Sequence, residues 1–262
     1  MNIFNITVLD SSNITENCGT KALMLAELAK MGIQVPVFYG IGVDDFIRFC
    51  KRFNNTSFLN QDVELLLSER LPEDKYMVRS SVVPKNKENL DFGSMISGAF
   101  ESFSANNYDE VLQRVLEVWR SFFSEKAKEQ CALFLEDGSI LGMGVLIQKY
   151  IEPVISGVLH SDKGKYNISW IKGHLSKIVS GLTRGNAITC YQNEENETIL
   201  RGVEENILKI IDYGYESVFT ELEGLGRKIN QKLGYEIEME WIYDGKYIWV
   251  VQCQKLIEEG IS

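Results

Sequence analysis

Residues 235–253 read Tyr235-Glu-Ile-Glu-Met-Glu-Trp-Ile-Tyr-Asp-Gly-Lys-Tyr-Ile-Trp-Val-Val-Gln-Cys253 and have the pattern of a β-hairpin. In its first half, glutamates alternate with apolar residues. Alternate residues of a strand share a face, so the pattern predicts a strand with one acidic and one apolar face. Asp244-Gly245 then predicts a hairpin turn. A strand that simply turns its charged face to water would show the same alternation.

The length of the turn decides which face the returning arm presents. With a two-residue turn, Gln252 falls opposite Ile237 on the apolar face. With a three-residue loop and a bulge at Gly245, Gln252 lies on the same face as Glu238 and Glu240. Two carboxylates and an amide supply the oxygen ligands that Mg²⁺ takes when ATP brings the remaining ones. The second geometry therefore predicts a metal site.

Helical and extended patterns are segregated along the rest of the chain. Helices are predicted over residues 20–31, 43–53, 60–67, 108–131, 204–212 and 217–233, and apolar residues recur at helical spacing in the first and the fourth of them. Strands are predicted over residues 1–10, 76–83, 139–150, 154–160, 167–170 and 177–180. Segregated helices and antiparallel strands indicate the α+β class, with two lobes at residues 1–140 and 141–262. In the hairpin, the side chains expected in the core are Trp241, Tyr247, Trp249 and Val251.

Composition and charge argue against some classes of function. The chain has 262 residues, is 45% hydrophobic and carries a net charge of −10 without a cluster of Lys or Arg, which argues against nucleic acid as a partner. No apolar run approaches the length of a membrane span. The five cysteines are odd in number and widely spaced, which is typical of reduced thiols in a cytoplasmic protein.

Six segments follow one another in an order that resembles a known family. They are Gly19-Thr-Lys21, Met77-Val-Arg-Ser-Ser81, Ile96-Ser-Gly-Ala-Phe-Glu-Ser102, Val145-Leu-Ile-Gln148 with Ile155-Ser-Gly-Val158, Gly173 to Gly181, and Glu238-Met-Glu-Trp241 with Val251-Gln252. Together they resemble the ATP-binding domain of phosphoenolpyruvate synthase, pyruvate phosphate dikinase and rifampin phosphotransferase. The resemblance implies an ATP-grasp fold, standing alone, with two lobes and the nucleotide cleft between them.

The same resemblance implies a role for each matching residue. Lys21 and Arg79 are expected to contact phosphates as catalytic residues, with Lys21 near a helix N-terminus that favours anions. The metal ligands are expected to be Glu238 and Glu240. The remaining nucleotide contacts are expected from a phosphate loop, from the backbone of an adenine hinge and from the second arm of the hairpin: Ser97, Gly98, Gln148, Lys149, Tyr150, Ile151, Gln252 and Gln254.

Three positions depart from the family pattern. Gln254 stands where the family has Arg, Ser176 where it has Glu, and His160 where it has Phe, so a structural role is expected for His160. The family's Thr-Ser-His phosphohistidine motif does not occur in the sequence.

These observations favour an ATP- and Mg²⁺-dependent phosphotransferase. The expected acceptor is a histidine of a separate protein or a small molecule. Because Gln254 and Ser176 depart from the pattern, an inactive nucleotide-binding sensor or scaffold is one alternative. An ATP-grasp ligase is the other.

Overall fold

A computed structural model describes residues 4–53, 63–67, 71–72, 74–85, 99–136, 140–174 and 185–256. The helices are α1 (Thr20–Lys30), α2 (Val43–Phe53), α3 (Tyr108–Ser121), α4 (Glu125–Glu136), α5 (Glu204–Asp212) and α6 (Glu216–Leu233). The strands are β1 (Phe4–Asp10), β2 (Phe38–Ile41), β3 (Val63–Leu67), β4 (Tyr76–Pro84), β5 (Ser102–Ala105), β6 (Ile140–Lys149), β7 (Ile155–Asp162), β8 (Lys165–Lys172), β9 (Asn186–Gln192), β10 (Thr198–Gly202), β11 (Ile237–Tyr243) and β12 (Ile248–Lys255).

The chain divides into two compact units. The first unit comprises Met1–Glu27 and Pro36–Tyr150, and the second comprises Leu28–Val35 and Ile151–Ser262. Within the second unit, the amide of Val250 donates to the carbonyl of Gln34 at 2.9 Å, which ties the 28–35 segment to β12. None of the described helices is both long and apolar enough to span a bilayer.

The first unit is built on a six-stranded sheet in the order β3-β1-β2-β6-β4-β5. All its neighbouring strands are antiparallel except β1 and β3, which are parallel. One face of the sheet is buried with helices α2 and α3 in a core that contains Phe49 and Trp119, whose ring centroids are 5.1 Å apart. α2 begins with acidic residues and ends with Lys51 and Arg52, so its side-chain charges stabilise the helix dipole.

Two predicted helices of the first unit are wrong as drawn from the sequence. Residues 63–67 form β3, which pairs in parallel with β1, instead of a helix over residues 60–67. A short apolar run does not distinguish a helix from a buried strand, and pairing with β1 decides the outcome. The helix predicted over residues 108–131 is two helices, because the chain turns at Phe122–Ser124 before α4 begins.

The second unit is built on a wholly antiparallel six-stranded sheet in the order β10-β9-β8-β7-β11-β12. Its apolar face packs against α6. The ring of Phe219 on α6 lies 5.6 Å from Trp170 and 6.1 Å from Trp241 between centroids, and all three side chains are buried. The α+β class predicted from the sequence is confirmed by these two sheets and the helices that cover them.

The closing hairpin follows neither predicted turn. Tyr243 pairs with Ile248, so the loop has four residues, Asp244 to Tyr247. The carboxylate of Asp244 accepts hydrogen bonds from the amides of Lys246 (2.8 Å) and Tyr247 (2.7 Å) and from the indole of Trp249 (2.7 Å). Gly245 has a φ of +96°, a conformation that glycine adopts without strain.

The longer loop also changes which hairpin residues are buried. Trp241 and Val251 lie in the core as predicted, but Tyr247 is 48% exposed and Trp249 is half-buried, so their predicted burial is wrong. Ile248 and Val250 are buried in their place. Because side chains alternate along a strand, a change of one residue in the loop exchanges the two faces of the returning arm.

Candidate functional site

A polar wall forms on one face of the hairpin. Glu240 lies directly opposite Gln252, and Glu238 opposite Gln254. The register shifts after Glu240, where Val251 is the extra residue of a β-bulge. Gln252 therefore lies on the acidic face, the placement that the bulged alternative predicted, although the bulge is at Val251 and not in the turn.

The wall continues as a row of polar side chains across the whole second sheet. Strand register aligns, from one edge to the other, Gln254, Glu238, His160, Asn167, Thr189 and Arg201. Glu238 accepts hydrogen bonds from Gln254 Nε2 at 2.7 Å and from His160 Nε2 at 2.8 Å. Thr189 donates to Asn167 at 2.8 Å. The polar residues are thus concentrated on the face opposite to α6.

The donor set of the wall fits a magnesium ion. Glu238, Glu240 and Gln252 offer two carboxylates and one amide oxygen, and Mg²⁺ takes oxygen ligands, usually one or two carboxylates with phosphate oxygens and water. Among the residues that the structure describes, no group of three or more His, Cys, Asp or Glu side chains is arranged to hold a metal by itself. The wall therefore suits a metal that arrives with a phosphate ligand.

Glu236, the first glutamate of the alternating stretch, does not belong to the wall. It precedes β11, and its carboxylate accepts hydrogen bonds from the amide of Lys163 at 3.0 Å and from Asn230 of α6 at 3.1 Å. Glu236 therefore connects the turn at Lys163 with α6. Because it lies in the same alternating stretch but outside the wall, it is a matched control for Glu238 and Glu240.

In the first unit, the start of α1 is fixed against β4. The hydroxyl of Ser81 accepts a hydrogen bond from the amide of Ala22 at 3.2 Å, next to Lys21. Gly19 has a φ of +88°, and a Cβ there would lie 2.1 Å from the carbonyl oxygen of Ser81. Only glycine allows this close approach, which explains the Gly19 to Lys21 motif at the helix N-terminus, an anion-favouring position.

Arg79 and Gln148 lie on the same sheet face as Ser81. Arg79 precedes Ser81 by two residues on β4, and Gln148 of β6 pairs with Met77 of the same alternation. The opposite face, which carries Tyr76 and Val78, is the one buried with α2 and α3. The structure therefore places the N-terminus of α1, Arg79 and Gln148 on one side of the first sheet.

Several groups of the predicted adenine hinge already make contacts within the protein. The ammonium of Lys149 lies 2.5 Å from Asp74, and this hydrogen bond is the main reason that the pKa of Asp74 is below its ordinary value. The amides of Lys149 and Tyr150 donate to the carbonyls of Val37 and Lys75 at 2.8 and 2.9 Å. Within the described part of the chain, the amide of Ile151 makes no hydrogen bond, so it is the hinge donor that remains for a base edge.

Some predicted positions fall outside the described residues. They are Ser97 and Gly98 of the phosphate loop, the predicted strand over residues 177–180, and Ser176. Among described residues, the sequence argument missed the contact of His160 with Glu238. Pairing His160 with Glu238 required the register of β7 against β11, which no local pattern specifies.

All five cysteines are free, and burial raises the pKa of each thiol. Cys253 follows Gln252 on the apolar side of β12, where burial and the charge of Glu238 raise its pKa to about 12. Each of these thiols is therefore harder to ionise than a thiol in water.

The sequence places the chain in a class of nucleotide-binding domains. It matches the family described as pyruvate phosphate dikinase, AMP/ATP-binding domain, over residues 59–259. The chain belongs to this family, which confirms the resemblance drawn from its motifs, and its fold is of the ATP-grasp type. A search of curated proteins finds no match.

Several solved structures are similar at low sequence identity. D-alanine–D-alanine ligase from Helicobacter pylori is 10% identical with a TM-score of 0.42, and the match covers 92% of this chain and 52% of the ligase. L-amino acid ligase from Bacillus licheniformis is 14% identical with a TM-score of 0.41, covering 93% and 44%. A Pyrococcus horikoshii protein is 14% identical with a TM-score of 0.46, covering 91% and 90%. The chain spans about half the length of the ligases.

Proposed function

We propose that this nucleotide-binding domain is an ATP- and Mg²⁺-dependent phosphotransferase that passes a phosphoryl group to a histidine of a separate protein or to a small molecule. The observation that carries the proposal is the polar wall, in which Glu238, Glu240 and Gln252 share one face of the hairpin. Membership of the pyruvate phosphate dikinase AMP/ATP-binding family supports the choice of nucleotide.

The residues of the wall would hold Mg²⁺ through oxygen atoms. The ion neutralises charge on the phosphates when it is bound. Glu238 and Glu240 would each give the ion a negatively charged oxygen ligand, and Gln252 would give it a neutral amide oxygen. Gln252 is only 6% exposed, so its amide is held within the strand packing instead of moving freely in solvent. A buried ligand of this kind orients the phosphate group that shares the ion.

Lys21 and Arg79 of the first unit would bind phosphate oxygens of a nucleotide. Arg79 offers a rigid, planar set of donors, and Lys21 offers a point charge at the start of α1. The bond from the transferred phosphorus to the nucleotide oxygen breaks as the bond to the acceptor forms. Positioning and charge neutralisation account for most of the catalysis of such transfers.

The hinge would read adenine through its backbone. Because the amides of Lys149 and Tyr150 already donate within the first unit, the proposed donor to the base is the amide of Ile151. The side chain of Gln148 is only 1% exposed. It would therefore line the adenine pocket in a fixed position and would not act as a mobile contact.

Analysis of the nucleotide products tests the proposal. The protein is incubated with ATP and Mg²⁺, with and without candidate acceptors, and AMP, ADP and phosphate are quantified. AMP with phosphate indicates the phosphohistidine route, and ADP indicates direct transfer. ADP formed only when a carboxylate and an amine are both present would instead show a ligase.

Two variants give the test its controls. Glu240→Ala is expected to abolish turnover, whereas Glu236→Gln, which alters the glutamate bonded to Lys163 and Asn230, is expected to retain it. Full ATP turnover by Glu240→Ala would show that the wall does not hold the metal. Tight ATP binding without turnover under all conditions would favour the inactive nucleotide-binding module.

A further inference from the structure

One glutamate of the wall is fastened at both carboxylate oxygens. Oε1 of Glu238 accepts from Gln254 Nε2 at 2.7 Å, and Oε2 from His160 Nε2 at 2.8 Å. The two donors come from the strands on either side of β11, since His160 is the register partner of Glu238 on β7 and Gln254 its partner on β12. The side chain of Glu238 is 28% exposed, so it still reaches the surface of the sheet.

The chemistry of the groups fixes the direction of these bonds. An ionised carboxylate only accepts hydrogen bonds, so the Nε2 atom of His160 carries the proton that it shares with Glu238. Each carboxylate oxygen has two lone pairs and uses one of them to accept the hydrogen bond from its donor. The two oxygens of Glu238 therefore keep acceptor capacity for a cation while the side chain is held in one orientation.

We propose that His160 and Gln254 are positioning residues that set Glu238 for the metal of the nucleotide complex. This inference rests on the proposed function. A glutamate side chain loses rotamer freedom when it is ordered, and the two donors order it before the metal arrives. Partners that orient metal ligands in this way typically alter metal affinity about 10- to 100-fold when they are removed.

Glu240, the other carboxylate of the wall, has a different neighbour on β7. Its register partner there is Val158, whose side chain has no hydrogen-bonding group. On β12 its partner is Gln252. The register therefore pairs His160 with Glu238 and gives Glu240 different neighbours on both adjacent strands.

By the resemblance drawn from the motifs, both donors are departures from the family pattern: it implies Phe at the position of His160 and Arg at the position of Gln254. Their side chains meet on the same carboxylate, so the two departures form one local change and not two unrelated losses. The structure thus gives Gln254 a role other than the loss of a phosphate-binding cation.

Calorimetric binding of a non-hydrolysable ATP analogue, titrated with Mg²⁺ at one fixed pH, tests the inference. His160→Phe removes the donor, and His160→Gln keeps an amide donor at a similar reach. We expect His160→Phe to need about 10- to 100-fold more Mg²⁺ for half-maximal enhancement of analogue binding, and His160→Gln to stay close to wild type. Analogue affinity without Mg²⁺ should be the same in all three proteins.

Gln254→Met supplies an independent variant of similar length without a donor, and it should weaken the Mg²⁺ response in the same direction as His160→Phe. Asn167→Ala is the matched control, because Asn167 occupies the next position of the same row but bonds to Thr189. Mg²⁺ responses of His160→Phe and Gln254→Met that coincide with wild type would overturn the inference. So would a loss of equal size in Asn167→Ala.

The two proposals fail in different ways. If Glu240→Ala keeps full ATP turnover, the polar wall does not hold the metal, and the positioning of Glu238 does not contribute to catalysis. If Glu240→Ala is inactive while the Mg²⁺ response of His160→Phe is unchanged, the wall stands and only the positioning role is wrong. His160 is 43% exposed, so its replacement is not expected to unfold the protein.

Discussion

The two faces of the second sheet are made by the same six strands and have opposite chemistry. One face places Trp170, Trp241 and Met239 under α6, and all three are buried. The other face carries the row from Gln254 to Arg201, in which Glu238 is hydrogen-bonded to its neighbours on both sides. Because successive side chains of a strand point to opposite faces, a sheet can build its stability on one side and present a site on the other.

This division has a consequence for mutation. Substitutions on the apolar face should change the free energy of unfolding and leave the Mg²⁺ dependence of ATP binding intact. Substitutions on the polar wall should change the Mg²⁺ dependence of ATP binding and leave the free energy of unfolding intact.

Trp241→Ala should cost about 3–5 kcal/mol of unfolding free energy, because it empties a fully buried site against Phe219. Urea denaturation followed by circular dichroism measures this loss. Below the transition, the ATP affinity of the folded fraction should be unchanged. A loss under about 1 kcal/mol would show that the α6 face does not hold the sheet.

Glu240→Gln should lower ATP turnover by about 10²- to 10³-fold, since it removes one of the two charges of the proposed metal site. Its unfolding free energy should stay within about 0.5 kcal/mol of wild type, because the amide keeps the shape of the side chain. Steady-state kinetics and urea denaturation are measured on the same preparation. A variant that is unstable but fully active would reverse the assignment of the two faces.

Two glycines of α6 form a matched pair that probes how closely the helix packs. A Cβ at Gly226 would lie 2.8 Å from ring atoms of buried Tyr166, whereas nothing lies within 4 Å of a Cβ at Gly224. Gly226→Ala should therefore destabilise the protein by about 1–3 kcal/mol. Gly224→Ala should stabilise it by about 0.5–1 kcal/mol through helix propensity. Thermal unfolding compares them, and equal shifts would contradict the close contact.

Asp244→Asn should cost about 1 kcal/mol, because the hairpin loop loses a charged acceptor. Burial alone would raise the pKa of Asp244, but hydrogen bonds from Tyr247, Trp249 and Lys246 hold it below the ordinary 3.8. The folded protein therefore binds this proton more weakly than the unfolded chain. The stability from Asp244 is present above pH 3.8 and is lost as the pH falls through the folded-state pKa.

Urea titrations of wild type and Asp244→Asn from neutral to acidic pH measure this contribution. The gap in stability between the two proteins should narrow as the pH falls below 3.8. A gap that stays constant down to the lowest pH would show that the charge of Asp244 does not support the loop.

The sequence predicted the elements whose signal is local. The helix at residues 43–53 and the strand at residues 76–84 agree with the predicted elements, because their signals lie within the segments themselves. Residues 63–67 were misassigned, since only pairing with the distant β1 makes them a strand. The motifs, by contrast, identified the family from residues that are far apart in the chain.

The polar wall was predictable in its acidic arm and not in its details. Alternation placed Glu238 and Glu240 on one face, but the four-residue loop and the bulge at Val251 depend on packing that no local pattern specifies. The hydrogen bonds of Glu238 required knowing that β7 pairs with β11 at His160. Contacts between strands that are 78 residues apart in sequence are set by the sheet and not by any single segment.

The most direct test of the central claim is the Mg²⁺ dependence of ATP affinity in the double variant Glu238→Gln/Glu240→Gln, measured by calorimetry against wild type. The polar wall predicts that Mg²⁺ strengthens ATP binding to the wild type and loses that effect in the double variant, with the fold retained. An equal enhancement by Mg²⁺ in both proteins would contradict the assignment of the wall as the metal site.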